Sequence, residues 1–419
     1  MHNRSLALPA ALAVLALGLS ACGGSGFDAG GEDPSASGED SAAAKEMNDN
    51  PVEVLIGSSG DAETKAVKDA VAAWSKKEGV KADVVVASDL VQQASQGFAS
   101  GSPADVLYVT TDSFTGWAEN GSLLAYGDDL PDKDDFYPAL REAFTHDDQF
   151  FCAPKDFSTL ALVINDDLWT KAGLTDADVP TTWDELRTVS KKLTADGVTG
   201  LVLGPEIQRA GVFLAQNGGG LVTDGKATAN STENVEALEY LKQLMTDGVA
   251  AYSSDVGTGW GGEALITGKA AMVIEGNWMT GALSADAPDM KVRVAELPAG
   301  KTKGTLQYST CWGIAADGDN TAAAQSLVEF LTSKEQQLTF SEQFGPMPSI
   351  ESAKEDWIKA NPDLEAFVLG ADYAQNLPAQ AGASDVIKEV NSQLASLKTG
   401  DPKAMLDSIQ PLLEPVVEG

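Results

Sequence analysis

The sequence predicts an α/β protein assembled from βαβ units, and three observations carry the prediction. Short runs of buried-strand character alternate with stretches whose apolar residues recur at helical spacing, which implies crossover connections and a mainly parallel sheet. The chain has 419 residues, more than one hydrophobic core supports, so its length points to two or three domains. Its 43% hydrophobic and 21% charged composition is that of a soluble globular protein rather than a disordered or fibrous one.

Taken in order, Val52–Ile56 reads as a buried strand that ends in the turn Gly57-Ser58-Ser59-Gly60. Asp61 is a candidate N-cap for the helix that follows, whose apolar face is Ala66, Val67, Ala70, Val71 and Trp74. Strands are expected over 82–87 and 105–109 with a helix between them, and a further strand over 157–165. Thr182 is placed to cap the helix opened by Trp183-Asp184-Glu185. Leu201–Leu203 is short and apolar. Val235, Leu238, Leu241, Leu244 and Met245 form a helical stripe that stops at Gly248, and 270–274 reads as another strand. Beyond residue 320 the chain turns helix-rich, over 321–337, 384–398 and 402–417.

The N-terminus has a different character. A weakly basic start precedes an apolar run from Leu6 to Leu19, about 21 Å long as a helix and too short for a bilayer core of about 30 Å. With a small-residue cleavage site this is a secretory signal peptide over residues 1–21. Leu19-Ser20-Ala21-Cys22 looks like a bacterial lipobox, in which Cys22 is lipidated and becomes the mature N-terminus. Residues 22–51 are the lipidated Cys22 followed by a stretch mostly of Gly, Ser, Ala, Asp and Glu with almost no large apolar side chain, a flexible tether reaching about 30 Å. The expected location is extracytoplasmic, anchored to the bacterial cell membrane through the lipid on Cys22.

A net charge of −34 argues against nucleic acid and against adhesion to anionic lipid by a basic patch. His2 and His146 are the only histidines, which removes multi-His metal sites and makes His-based triads improbable; no metal and no cofactor is expected. Gly257-Thr258-Gly259-Trp260-Gly261-Gly262 satisfies GxGxxG, but 251–255 does not read as a hydrophobic strand and Trp260 would crowd a cofactor. The expected role is a loop capping a helix at Glu263. A glycosidase carboxylate pair is not singled out by anything except the abundance of acidic residues. With Cys22 assigned to lipid, Cys152 and Cys311 remain as an even pair in an oxidising compartment. They either pair, closing a loop of about 160 residues worth about 5 kcal/mol in the chain-entropy model, or stay as two buried thiols.

Four segments resemble the extracellular solute-binding proteins of ABC importers, the family that includes maltose-binding protein. These are 104–124 with Asp112, then 153–168, then Gly268-Lys269-Ala270-Ala271-Met272-Val273-Ile274-Glu275-Gly276-Asn277-Trp278, and finally Trp312-Gly313-Ile314-Ala315 with the helix that follows. They span nearly the whole mature chain in the family's order.

The resemblance implies a two-lobed, type II periplasmic-binding-protein-like α/β fold with hinge strands between the lobes. Lobe 1 would be 52–155 plus 313–343, and lobe 2 would be 156–310 plus 346–419. Cys152 and Cys311 then fall beside two crossings between the lobes, and Gly345-Pro346-Met347-Pro348 forms a third. The implied cleft residues are Ser59, Asp61, Asp112, Trp278 and Trp312, with Gly218 and Gly219 (beside Gln216 and Asn217) in a further loop. A carboxylate suits the hydroxyls of a sugar and a Trp face suits its C–H side. Lys155-Asp156 reads as an ion pair between lobes rather than a contact. The implied function is a monomeric, non-enzymatic binding protein that captures a sugar or oligosaccharide and delivers it to a permease. The alternatives are a polyamine ligand in the same fold, or a secreted glycosidase.

Overall fold

The computed structural model describes residues 47–418. The signal peptide, Cys22 and most of the tether lie outside the described residues. At the tether's end, Asn48 is already held to the body: its amide nitrogen donates to the Asp319 carbonyl, and its own carbonyl accepts from Asn320.

The N-terminal strands follow the pattern read from the sequence. β1 (Val52–Ile56) pairs in parallel with β2 (Ala82–Val86) and β3 (Val106–Thr110), connected by α1 (Asp61–Glu78) and α2 (Leu90–Ser100). α1 buries the apolar stripe expected of it, with Trp74 fully covered and its indole N–H on Ser326 Oγ at 3.2 Å. Asp61 is not its cap. Gly60 occupies that position and its carbonyl accepts from Thr64, which leaves Asp61 as the first helical residue, suited to the positive end of the dipole. α3 (Thr111–Glu119) continues directly from β3.

Two long strands, Ala153–Asn165 and Thr305–Ile314, run antiparallel to each other through the middle of the molecule. They join the first parallel group to a second, made of Thr199–Leu203, Ala250–Tyr252 and Ala270–Gly276, in one ten-stranded sheet. The sheet is therefore mixed rather than mainly parallel. Its outer strands come from βαβ units, but two segments that cross between lobes in opposite directions must pair antiparallel. One apolar core lies among β1, α1 and β3 with the helix Thr321–Thr332, and another among Leu162, Leu201, Phe213 and Leu241. A third cluster, around Phe157, Met347 and Phe367, packs beside the crossings.

The long strand begins at Ala153, four residues before the expected 157, because its first residues are held by Thr310–Trp312 across the ladder. The helix expected over 321–337 is two helices, Thr321–Thr332 and Lys334–Phe344. Ser333 breaks it with an extended backbone and caps the second helix through Gln336 N. Thr182 caps its helix in a full capping box with Glu185. The segment before GxGxxG does contain a strand, Ala250–Tyr252, short and at the sheet edge; its pairing with Thr199–Leu203 supplies what local hydrophobicity lacks. No helix among the described residues is long and apolar enough to cross a membrane.

Candidate functional site

Where the two long strands cross, the ladder slips by one residue. Thr310 faces Asp156 and Cys311 faces Pro154, so Lys155 is an extra residue in a β-bulge. A bulge re-aims side chains, and here it brings Lys155 and Asp156 into contact with each other. Lys155, although 8% exposed, also reaches Glu63 in the first turn of α1, Nζ to Oε1 at 3.0 Å. Its ammonium lies 4.7 Å from the Tyr108 ring centre and 5.5 Å from that of Phe344.

Glu63 is the centre of this network. One oxygen accepts from the Tyr108 hydroxyl at 2.9 Å as well as from Lys155. The other accepts from both the amide and the hydroxyl of Ser59, each at 2.7 Å, so the carboxylate fixes the β1–α1 turn. Burial opposes its ionisation, but Lys155 and the Ser59 donors outweigh that and hold the carboxyl below the usual glutamate range. For Lys155 burial is likewise outweighed, by Asp156 foremost, so the ammonium is held above the ordinary lysine value. Burial pushes Asp156 up, against the pull of Lys155.

Register then defines a floor. Thr110, Thr310 and Asp156 sit side by side on three neighbouring strands, and Tyr308 pairs with Ser158 one step along. Because side chains alternate, Tyr308, Thr310 and Trp312 share one face of their strand. The same face thus runs from Trp312 and Tyr108 in the first lobe, past Asp156, to Tyr308 at the edge of the second.

A wall beside Tyr308 is built on Trp278, at 37% exposure one of the few exposed large apolar side chains among the described residues. Its indole N–H donates to Glu275 at 3.1 Å, its ring lies 5.0 Å from the Arg209 guanidinium carbon, and Tyr308 meets it edge-on at 5.8 Å. The ring folds back over Gly276, where a Cβ would come within 2.2 Å of it; only glycine permits that approach. Arg209 grips Glu275 through Nε and Nη2, at 3.1 and 2.9 Å. Burial pushes the Glu275 carboxyl up, opposed by Arg209 and by the indole N–H. Neighbouring Asn277 donates its amide to Ser158 Oγ at 3.3 Å and ties this wall to the floor. Trp260 lies over Gly262 on the adjoining loop, and the Gly259 N–H donates to the Glu263 carboxylate at 2.7 Å.

The residues expected in the cleft are distributed unevenly. Ser59 lies in the Glu63 network, while Asp61 and Asp112 are exposed at the starts of α1 and α3 and make no side-chain hydrogen bond among the described residues. Trp278 stands at the wall. Trp312 is fully buried in the floor, edge-on to Tyr108 at 4.9 Å, with no partner for its N–H among the described residues. Gly218 and Gly219 turn the chain after the helix Ile207–Gln216; Asn217 binds the Glu233 carbonyl and Gln216 binds Trp183 and Gly304, all contacts inside the second lobe. Cys152 and Cys311 are joined, with Cα atoms 5.7 Å apart, on the first-lobe side of the bulge. Sequence reasoning missed Glu63, Tyr108, Arg209, Glu275 and Tyr308. Glu63 alone had a local signal, a glutamate three residues after the turn, but that position reads equally as a helix-dipole residue.

The family model for bacterial extracellular solute-binding proteins matches residues 57–338. A binding protein of Brucella abortus is 25% identical over 346 residues, 77% of this chain and 82% of its own. The arabinooligosaccharide-binding protein of Bacillus subtilis is 29% identical over 186 residues, 41% of each chain. Among solved structures, the cyclic α-maltosyl-1,6-maltose binding protein of Arthrobacter globiformis superposes with a TM-score of 0.80 at 21% identity, covering 88% of this chain and 100% of that one. An ABC substrate-binding protein of Listeria monocytogenes in complex with cycloalternan gives 0.74 at 22% identity, covering 87% and 98%. At these identities the structures establish the two-lobed fold.

Proposed function

This chain belongs to the bacterial extracellular solute-binding protein family, and from that premise we propose that it captures a sugar or oligosaccharide between its lobes and delivers it to an ABC permease. The observation that carries the reading is Trp278. An indole left partly exposed, yet held by a buried carboxylate, a guanidinium and a tyrosine, is a rigid apolar platform facing a polar floor. Such a platform suits the C–H face of a pyranose or furanose, while carboxylates take its hydroxyls. The oligosaccharides named for several of the similar proteins support the same ligand class.

Ligand contacts drawn from both walls are complete only when the lobes close, so binding shifts an open–closed equilibrium toward the form the permease engages. The protein performs no chemistry on its ligand. It works as a monomer outside the cytoplasm, tethered through lipidated Cys22. The lobes are as assigned from the resemblance, and Asp61 and Asp112 approach the ligand from the first-lobe rim.

Native mass spectrometry of freshly purified protein, followed by calorimetry with a carbohydrate panel, tests the reading. A retained or titratable glycan is expected. Tight binding of another solute class with no carbohydrate binding would sink it.

A further inference from the structure

The carboxylates of the floor are not equivalent. Glu63 is saturated by four donors: the Ser59 amide, the Ser59 hydroxyl, the Tyr108 hydroxyl and Lys155. The side chain of Asp156 accepts from Lys155 alone among the described residues; it remains 20% exposed, and one of its oxygens has no partner. Trp312 lines the same small recess, with Tyr108, Lys155 and Phe344, and its N–H is fully buried without a partner among the described residues. The hydroxyl of Thr310, the register neighbour of Asp156, is likewise unpartnered. The floor therefore retains unmet hydrogen-bonding capacity centred on Asp156.

The charge count is equally specific. In contact with the floor and the Trp278 wall, the described residues place two cations, Lys155 and Arg209. Lys155 is shared by two carboxylates and Arg209 is neutralised by Glu275, so neither is left for an anionic ligand. A phosphate or carboxylate entering here would meet surplus negative charge in a partly dehydrated site, with no counter-ion. A hydroxyl meets a free carboxylate oxygen that accepts its hydrogen bond.

We propose that Asp156 is a specificity-determining ligand contact, and that Lys155, on the bulge, is its positioning residue. Together they select uncharged polyhydroxyl solutes and reject anionic ones. This rests on the carbohydrate reading above and narrows it to neutral glycans.

Calorimetry of the wild type, Asp156→Asn and Trp278→Ala with maltotetraose, arabinotriose and xylotriose as neutral probes, and trigalacturonate as the anionic one, tests the proposal. The wild type is expected to bind at least one neutral probe and to reject trigalacturonate. Asp156→Asn should weaken the neutral probe by about 10- to 100-fold, the scale of a lost hydrogen bond to a charged group. It should also narrow the ratio between neutral and anionic affinities, which a partial folding defect leaves unchanged because it lowers the binding stoichiometry. If Asp156→Asn binds the neutral probe within threefold of wild type while Trp278→Ala loses it, Asp156 is not the contact and the carbohydrate reading stands. Wild-type binding of trigalacturonate as tight as that of the neutral probes overturns the charge selection. A wild type that binds no probe overturns both.

Discussion

Lys155→Met removes the cation that Glu63 and Asp156 share while keeping a long apolar stem. Glu63 is 4% exposed, so the change strands a buried carboxylate. Breaking a buried pair by removing one partner costs about 3–5 kcal/mol. Glu63 keeps three donors from Ser59 and Tyr108, which places the expected loss near the lower end, about 3 kcal/mol. Asp156 adds little, since its side chain still reaches solvent. Urea unfolding followed by tryptophan fluorescence measures the loss. Its pH dependence has a definite sign. In the wild type the folded value of Glu63 is depressed, so its contribution is complete above the unfolded glutamate value and is lost as pH falls through the folded one. In the variant burial acts with less opposition and raises Glu63, so the penalty is present at neutral pH and disappears on acidification. The two effects shrink the gap together as pH drops from 7 toward 4. Lys155→Met combined with Glu63→Gln should recover at least half of the loss. A loss below about 1 kcal/mol at pH 7, or one that grows on acidification, would refute the assignment of Glu63 and Lys155 as a buried functional pair.

Three further outcomes are expected. Cys152→Ser with Cys311→Ser opens a loop of sequence separation 159, and in the chain-entropy model should cost about 5 kcal/mol, read as a lower urea midpoint that matches the reduced wild type. Gly276→Ala would place a Cβ 2.2 Å from the Trp278 ring and must swing the indole off its seat; glycan affinity should fall about 10-fold or more with a shifted tryptophan emission, and unchanged affinity would show that the ring's position does not matter. Cys22→Ala should abolish incorporation of labelled fatty acid and move the protein from the membrane fraction to the soluble one.

Much of the fold was legible because its units are local. Strand β1, the stripe of α1, the Thr182 capping box and the terminal helix Pro402–Val417 each depend on residues within one or two turns of each other. The errors occurred where distant partners overrule local pattern. Ala250–Tyr252 becomes a strand because Thr199–Leu203 pairs with it, and Ala153–Lys155 because Thr310–Trp312 does. The site divides in the same way. Trp278, carried over from a family segment, is partly exposed, whereas Trp312, carried over by the same route, is buried among the crossing strands.

By itself the sequence determined the strands and helices whose pattern is local, that Cys152 and Cys311 are an even pair once Cys22 is assigned to lipid, and that histidine occurs at two positions, His2 and His146. Only the tertiary structure decided that a one-residue slip between two strands far apart in the chain would set Lys155 between Glu63 and Asp156. Register is a property of the paired strands, and burial a property of everything packed over them. Neither leaves a local trace in the chain, so which carboxylate is saturated and which is free to meet a ligand could be read only from the fold.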